Sequence, residues 1–434
     1  MHITKTIKKI SILKYKMIFS STNKKIITLL FGTASAQAIP IVASVILTRL
    51  YTPEDYGVLA IFLATTAILG SVITSKYELA ILVPKKDEDA VYITIISILS
   101  SIILSGLILG IILILPENLL YRAGMEELKG SLYLIPLTTL LMGIYTSLTY
   151  MAIRIEIFRL ISKTKVIQSI SAVITQISLG FLKSGHIGLI IGTVISNMAG
   201  NYQLSKVVYT QYFKNGFKVE KKRIRELALE YSDYPRYSVA ATILNSLSLQ
   251  AMNFIIPILY STTLLGYYSL SQRIVMTPMN VISSSISQVF LSNAAEEIRR
   301  VNKASESFKS FSTKLLLVGI PIYFGLYHII KPLIILIYGE KWIESGEIAK
   351  IIMILLFFRF LASPLSAVVN LYEKQKTALY LQGFLILLTL IITLSAFIFN
   401  LNFYNFLYLY VIMNILNYVI LYFYSFFLSR TFKK

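Results

Sequence analysis

Apolar runs of about twenty residues recur along this chain from residue 27 to residue 428, and a run of that length spans a bilayer as a helix. In lipid every backbone polar group must be satisfied within the chain, so recurring spans of this kind demand helices. The runs lie at 27–48, 57–83, 91–115, 130–150, 165–183, 187–208, 235–258, 264–291, 312–331, 346–370, 377–398 and 402–427. They predict an all-α integral membrane protein of about twelve transmembrane helices in two six-helix lobes. A charged fraction of 14% excludes the alternative of a soluble chain, which carries nearly twice as much.

Charge placement orients the chain. Most of its 41 Lys and Arg fall before the first run, at "PKKDED", around "RIEIFRLISKTK", in the loop near 209–234, in "EEIRRVNKASESFKSFSTK", at "EKQK" and in the tail. Those segments share one side if the N-terminus is cytoplasmic, and positive loops stay inside. The expected organisation is a basic cytoplasmic segment at 1–26, an N-terminal lobe at 27–208 and a cytoplasmic linker at 209–234. A C-terminal lobe at 235–428 and a cytoplasmic tail at 429–434 complete it. The N-terminal segment is basic, but Lys14 and Lys16 break its apolar part, so it does not read as a cleaved signal peptide. "VEKKRIRELALEY" in the linker predicts a short surface helix held by its bases against anionic lipid.

The net charge of +20 does not indicate nucleic acid, because the bases sit in short loops rather than in a groove. With no cysteine and three scattered histidines, no metal site or cofactor is expected. The sequence has no phosphate-binding glycine loop, no Ser/His/Asp set and no large outer loop for a glycan polymerase or ligase. An enzyme is therefore not expected.

A weak internal repeat links the halves. "LTRLYTPEDYGVLAIF" closes the first run and opens the second, and "IPILYSTTLLGYYSLS" does the same for the seventh and eighth. Tyr51 and Gly57 share their spacing with Tyr260 and Gly266. In the first copy Pro53 sets the turn or the first residue of the next helix, Glu54 and Asp55 suit its N-terminus, and Gly57 permits close packing. Parallel repeats of this kind place a substrate path between them.

Ionisable residues inside a span are expensive and mark function by default. Lys76 and Glu78 fall in the second run, Arg273 in the eighth and Arg359 in the tenth, while Arg49 ends the first. Bases dominate, so a cavity lined by Arg49, Lys76, Arg273 and Arg359 suits an anion, and Arg binds phosphate through paired hydrogen bonds. Gln37, Asn253 and Gln288, with other polar residues nearby, suit sugar hydroxyls or join helices to one another. Pro40, Pro136, Pro257, Pro278 and Pro364 lie within or near the ends of spans and permit kinks.

"LTRLYTPEDYGVLAIFLATTAILGSVITSKYELAILVPKKDEDA" resembles the start of bacterial polysaccharide biosynthesis membrane proteins, the O-antigen and lipopolysaccharide repeat-unit flippases. These belong to a superfamily shared with multidrug and toxic-compound exporters and the lipid II flippase. "DYPRYSVAATILNSLSLQAMNFIIPILYSTTLLGYYSLSQRIVMTPMNVISSSISQVF" resembles the opening of their second half. The resemblance implies two six-helix bundles around a cavity open to one side at a time. It implies transfer of an undecaprenyl-pyrophosphate-linked oligosaccharide from the cytoplasmic to the periplasmic leaflet of the bacterial inner membrane. It further implies a monomer with both termini cytoplasmic, working beside a glycan polymerase and a chain-length regulator. Glu78 is then the partner or gate that couples transport to protons, sodium or membrane potential. A multidrug-type antiporter is the alternative, and it would need an acidic site in its cavity.

Overall fold

The computed structural model describes residues 32–114, 116, 126–214, 219–372 and 374–432, so the basic segment 1–26 and much of the loop at 116–129 lie outside the described residues. All regular elements among these are helical. In chain order the first half contains α1 (Gly32–Leu50), α2 (Pro53–Gly70), α3 (Asp87–Ile114), α4 (Leu134–Arg154), α5 (Phe158–Phe181) and α6 (His186–Val208). The short α7 (Lys221–Glu230) follows, then α8 (Val239–Leu259), α9 (Thr262–Val301), α10 (Ser305–Tyr338), α11 (Ile343–Leu365), α12 (Gln375–Ile398) and α13 (Phe403–Arg430). Among the described residues 7 helices are long and apolar enough to cross a membrane: α1, α3, α4, α8, α10, α11 and α13. The polar residues threaded through α2, α5, α6 and α9 suit helices that meet other helices as well as lipid. Large apolar side chains point outward along the bundle, with Leu317 at 71% and Leu336 at 80% exposure. Lipid is the solvent that such a surface requires.

Two expected elements take a different form. The second run reads as continuous over 57–83, but α2 ends at Gly70 and the chain passes through turns to one helical turn at Tyr77–Ala80. Ser75 (φ 51) and Lys76 (φ 64) are left-handed, a conformation that crowds an L side chain and stops an α-helix. The stretch between the eighth and ninth runs reads as a loop, yet the helices continue through it. α9 has 40 residues and α10 has 34, so α9 is about 60 Å long, twice the hydrocarbon thickness. Asn302 (φ 56) makes the turn between them. Buried Glu297 closes it by accepting the backbone N–H of Glu306 at 2.9 Å and of Ser307 at 2.7 Å, two donors that the start of α10 leaves free.

The chain divides into two compact units. One contains the chain up to Leu47 together with Thr65–Pro116 and Gly130–Leu244; the other contains Thr48–Ala64 and the residues from Asn245 on. The end of α1 and most of α2 thus pack with the second half.

In the first unit α6 packs on α5 and α4, and α3 packs on α4. Small and hydroxylated residues let these helices approach: Ser97 and Ser147 share a hydrogen bond of 2.6 Å, and Gly143 faces Ser101. The linker forms the expected helix α7, held by protein contacts. Its Leu227 is buried, the Tyr77 hydroxyl donates to the Ala228 carbonyl at 3.0 Å, and Arg223 pairs with Asp89 at 2.8 Å. Hydrogen bonds to Asp89 and Glu226 raise the Arg223 pKa. Lys221, Lys222 and Arg225 are exposed, but so are Glu226 and Glu230, so the outer face of α7 is mixed in charge.

In the second unit α11 is the central helix, packed by α10, α9 and α13, and 61% of its apolar window is buried. The repeat landmarks meet here. Thr52 and Asp55 cap α2 reciprocally: Thr52 donates its N–H and its hydroxyl to the Asp55 carboxylate, both at 2.8 Å, and the Asp55 N–H returns to Thr52 at 3.2 Å. Pro53 is the first residue of α2, where its missing N–H costs nothing. Gly57 packs on Thr262, and Gly266 packs on the Pro53 carbonyl and 3.1 Å (from its would-be Cβ) from the Gly57 nitrogen. The two repeat glycines therefore mark one close helix crossing. Ser261 repeats the cap at the start of α9, accepting the Leu264 N–H at 3.1 Å.

Candidate functional site

The intramembrane charges fall into two settings. In the first unit Lys76 and Glu78 lie on the break that follows α2. Glu78 is buried, accepts a hydrogen bond from the Thr74 hydroxyl, and pairs with Lys76 at 3.3 Å. The left-handed turn bends the chain so that two residues of opposite charge, two apart, can close on each other. Lys76 is thus already neutralised by its neighbour. The backbone here makes short turns, with the Ser75 N–H donating to Val72 at 2.8 Å and the Tyr77 N–H to Thr74 at 3.1 Å. Interrupted helices of this type place loose carbonyls and a carboxylate at membrane depth.

In the second unit Arg273 and Arg359 make no ion pair with any described residue. Arg359 is partly buried on the central helix α11 and lies within electrostatic range of three tyrosines from three other helices. These are Tyr268 on α9, Tyr323 on α10 and Tyr410 on α13. Tyr268 accepts a hydrogen bond of 2.6 Å from Gln272, and the buried Tyr323 hydroxyl has no partner among the described residues. The nearest acids on α11 are engaged elsewhere: Glu344 accepts from Tyr404, and Glu347 pairs with Lys331. A guanidinium with tyrosine neighbours and no carboxylate keeps its charge available for an anion.

Arg273, also partly buried, lies within electrostatic range of Tyr56, whose buried hydroxyl lacks a partner among the described residues. Tyr56 stacks edge-on against Trp342 at 5.1 Å. Trp342 in turn donates from its indole N–H to the Thr48 carbonyl at 3.1 Å, and Lys341 donates to the Tyr51 carbonyl at 3.1 Å. The start of α11 therefore fixes the end of α1 and the turn that begins α2, and Arg273 lies two turns into α9 from the Gly266 crossing.

The other expected residues are less organised. Arg49 is exposed at the end of α1, and Gln37 and Gln288 are exposed on α1 and α9. Asn253 is partly buried and donates to Gln250 at 2.7 Å, a contact within one helix. Pro136 stands in the first turn of α4, where a proline interrupts no hydrogen bond, and Pro257 and Pro364 stand in the last turns of α8 and α11. Pro40 lies inside α1, and the side chain of Pro278 lies outside the described residues. Two further prolines, Pro321 and Pro332, lie inside α10. Their position in an apolar run was the available signal.

A family model described as polysaccharide biosynthesis protein matches residues 46–347 of the chain. A teichuronic acid biosynthesis protein, TuaB, of Bacillus subtilis (strain 168) is 23% identical over 159 residues, which is 37% of this chain and 33% of that relative. Among solved structures, the lipid II flippase MurJ in an inward closed conformation superposes with a TM-score of 0.68 at 16% identity, covering 93% of this chain and 90% of that one. An inward-facing multidrug resistance MATE family transporter of the MOP superfamily superposes with a TM-score of 0.66 at 15% identity, covering 90% and 93%. The fold is therefore that of the MATE and MOP transporters.

Proposed function

Since the chain belongs to the polysaccharide biosynthesis protein family, we propose that it is a flippase for lipid-linked glycan. Its substrate is an oligosaccharide repeat unit on undecaprenyl pyrophosphate, moved from the cytoplasmic to the periplasmic leaflet of the bacterial inner membrane by alternating access. Twelve spans in two six-helix lobes, with both termini cytoplasmic, are the matching topology.

The observation that carries this reading is the contrast between the bases. Lys76 has a carboxylate partner, whereas Arg273 and Arg359 have tyrosine neighbours and no ion pair among the described residues. A pyrophosphate is the anion that two guanidinium groups bind best, through paired hydrogen bonds. In the second unit the exposed Gln288 and Arg49 are the polar groups assigned to the sugar portion. Glu78 serves as the coupling group, since protonation would release Lys76. A multidrug antiporter needs a free acidic site, and here the buried Glu78 is occupied by Lys76 and Thr74, as buried Glu297 is by backbone N–H groups.

The test is translocation of lipid-linked sugar by the purified protein in reconstituted vesicles. Arg273→Ala and Arg359→Ala should each reduce translocation at least tenfold, the loss of about 1.4 kcal/mol or more of anion binding. In cells they should build up lipid-linked repeat units with protein abundance unchanged. Wild-type transport in both variants would sink the anion proposal.

A further inference from the structure

An apolar cleft of about 280 Å³ opens between α9 and α10, with α11 as its floor. Met279 and Ile282 form one wall, Leu315, Val318 and Ile322 the other, and Phe360 lies beneath. Gly319 widens it, since a side chain there would press on Phe360 at 3.2 Å. One cation stands in the lining: Lys314, exposed and 5.3 Å from the ring of Phe311. The neighbouring ends of α9 and α10 carry Arg299, Arg300 and Lys309, all exposed, together with the exposed Glu296 and Glu306, the latter 4.0 Å from Arg300, while Glu297 is occupied by backbone N–H groups. The helix ends beside the cleft are mixed in charge, and Lys314 is the one charged residue in an otherwise mainly apolar lining.

An apolar space of this size does not hold water, and in a bilayer a lipid chain fills it. An apolar cavity of about 150 Å³ takes a six-carbon ring, so this one takes roughly two five-carbon isoprene units. The position of Lys314 selects the kind of lipid. A glycerophospholipid separates its phosphate from its chains by a glycerol and two polar esters. A polyprenyl phosphate joins phosphate to the first isoprene directly. Here the cation belongs to an apolar lining whose only other polar side chain is Tyr323. Aromatic rings at Phe311, Tyr323 and Phe360 suit the flat double bonds of isoprene.

We infer that this cleft is a loading site for the polyprenyl phosphate end of the substrate, with Lys314 on the phosphate and the first isoprene units between α9 and α10. The inference rests on the proposed transport of a polyprenyl-linked glycan and adds where the carrier lipid docks before its headgroup enters the protein.

The probe is a polyprenyl phosphate without sugar that carries a photoreactive diazirine on its second isoprene, incubated with the full chain in vesicles. Cross-links mapped by mass spectrometry should fall on Leu315, Val318 and Ile322. Excess undecaprenyl phosphate should compete for them and phosphatidylglycerol should not. Lys314→Glu should reduce labelling at least fivefold and Val318→Trp should abolish it. Leu317→Trp, on an exposed position outside the cleft, should leave labelling intact and controls for folding. Labelling elsewhere, or equal competition by phosphatidylglycerol, would overturn the proposal, the latter by showing an ordinary lipid groove. Sugar translocation is scored separately. Labelling without translocation would count against the flippase function and leave the lipid site standing, and translocation unaffected by Val318→Trp at limiting substrate would remove the loading role.

Discussion

Replacing Gly266 with Ala tests the crossing on which the second unit depends. A Cβ at this position would lie 2.6 Å from the carbonyl carbon of Pro53 and closer still to its oxygen; at Gly57 it would lie 2.8 Å from the carbonyl carbon and Cγ2 of Thr262. The obstacle is backbone on both sides, so no rotamer change can relieve it. Restoring ordinary contact with that oxygen requires the starts of α2 and α9 to separate by more than about 1 Å, and a gap of about 1 Å already forfeits roughly half of the dispersion between facing atoms. Overpacking of this kind costs about 3 kcal/mol, which is about a 150-fold shift in the folding equilibrium. The separation would also pull on Tyr51 and Thr48, whose carbonyls hold Lys341 and Trp342. The measurement is thermal unfolding of the detergent-purified protein, with Gly325→Ala on α10 as the control, since nothing lies within 4 Å of a Cβ there. That control should be neutral or stabilising, because Ala is the better helix former. If Gly266→Ala unfolds at the same temperature as Gly325→Ala, the two repeat segments do not cross at their glycines.

Two further substitutions probe the charged interior. Lys76→Ala leaves Glu78 buried without its cation and should cost about 3 kcal/mol in the same unfolding assay, whereas Lys76→Ala combined with Glu78→Gln should recover most of that loss; additive losses would mean that the two groups do not act as a pair. Tyr323→Phe removes a buried hydroxyl that lacks a partner, so stability should rise by about 1 kcal/mol while translocation falls; a fall in stability would show that the hydroxyl was satisfied after all.

The helical class, the apolar spans and the start of α2 were legible because each rests on a short local rule: run length, proline at a helix start, and acids in a helix's first turn. Even the crossing of Gly57 on Thr262 and of Gly266 on Pro53 was hinted at, through two segments of matching spacing. The break after Gly70 was not legible. Ser75 and Lys76 carry none of the usual signals for left-handed backbone, and the surrounding "SVITSKYELAILV" is apolar enough to pass as one span. The helical continuation through residues 292–311 was missed for the opposite reason. Its charges read as loop, although they are spaced as the water-exposed faces of helices that leave the membrane. Partners were the least legible of all. Nothing in the spacing tells that Lys76 is matched by Glu78 while Arg359 has three tyrosines from three helices.

That difference in partners bears on mechanism. A membrane protein tolerates an intramembrane Arg at a cost of about 2.5–3.5 kcal/mol when it is left on a lone helix, and a structural Arg normally recovers this through a carboxylate. The acids on the same helix, Glu344 and Glu347, lie about 18 Å or more along it from Arg359 and engage Tyr404 and Lys331. Tyrosine hydroxyls cannot neutralise a guanidinium, but they can turn either way, accepting from it or donating to an anion beside it. Under the proposed function a site built from such groups is balanced only when an anion occupies it, so the loaded state is electrically cheaper than the unloaded one. Lys76 works in the opposite sense. Its charge is balanced by Glu78, so under the proposed function an anion has to compete with that carboxylate to reach it.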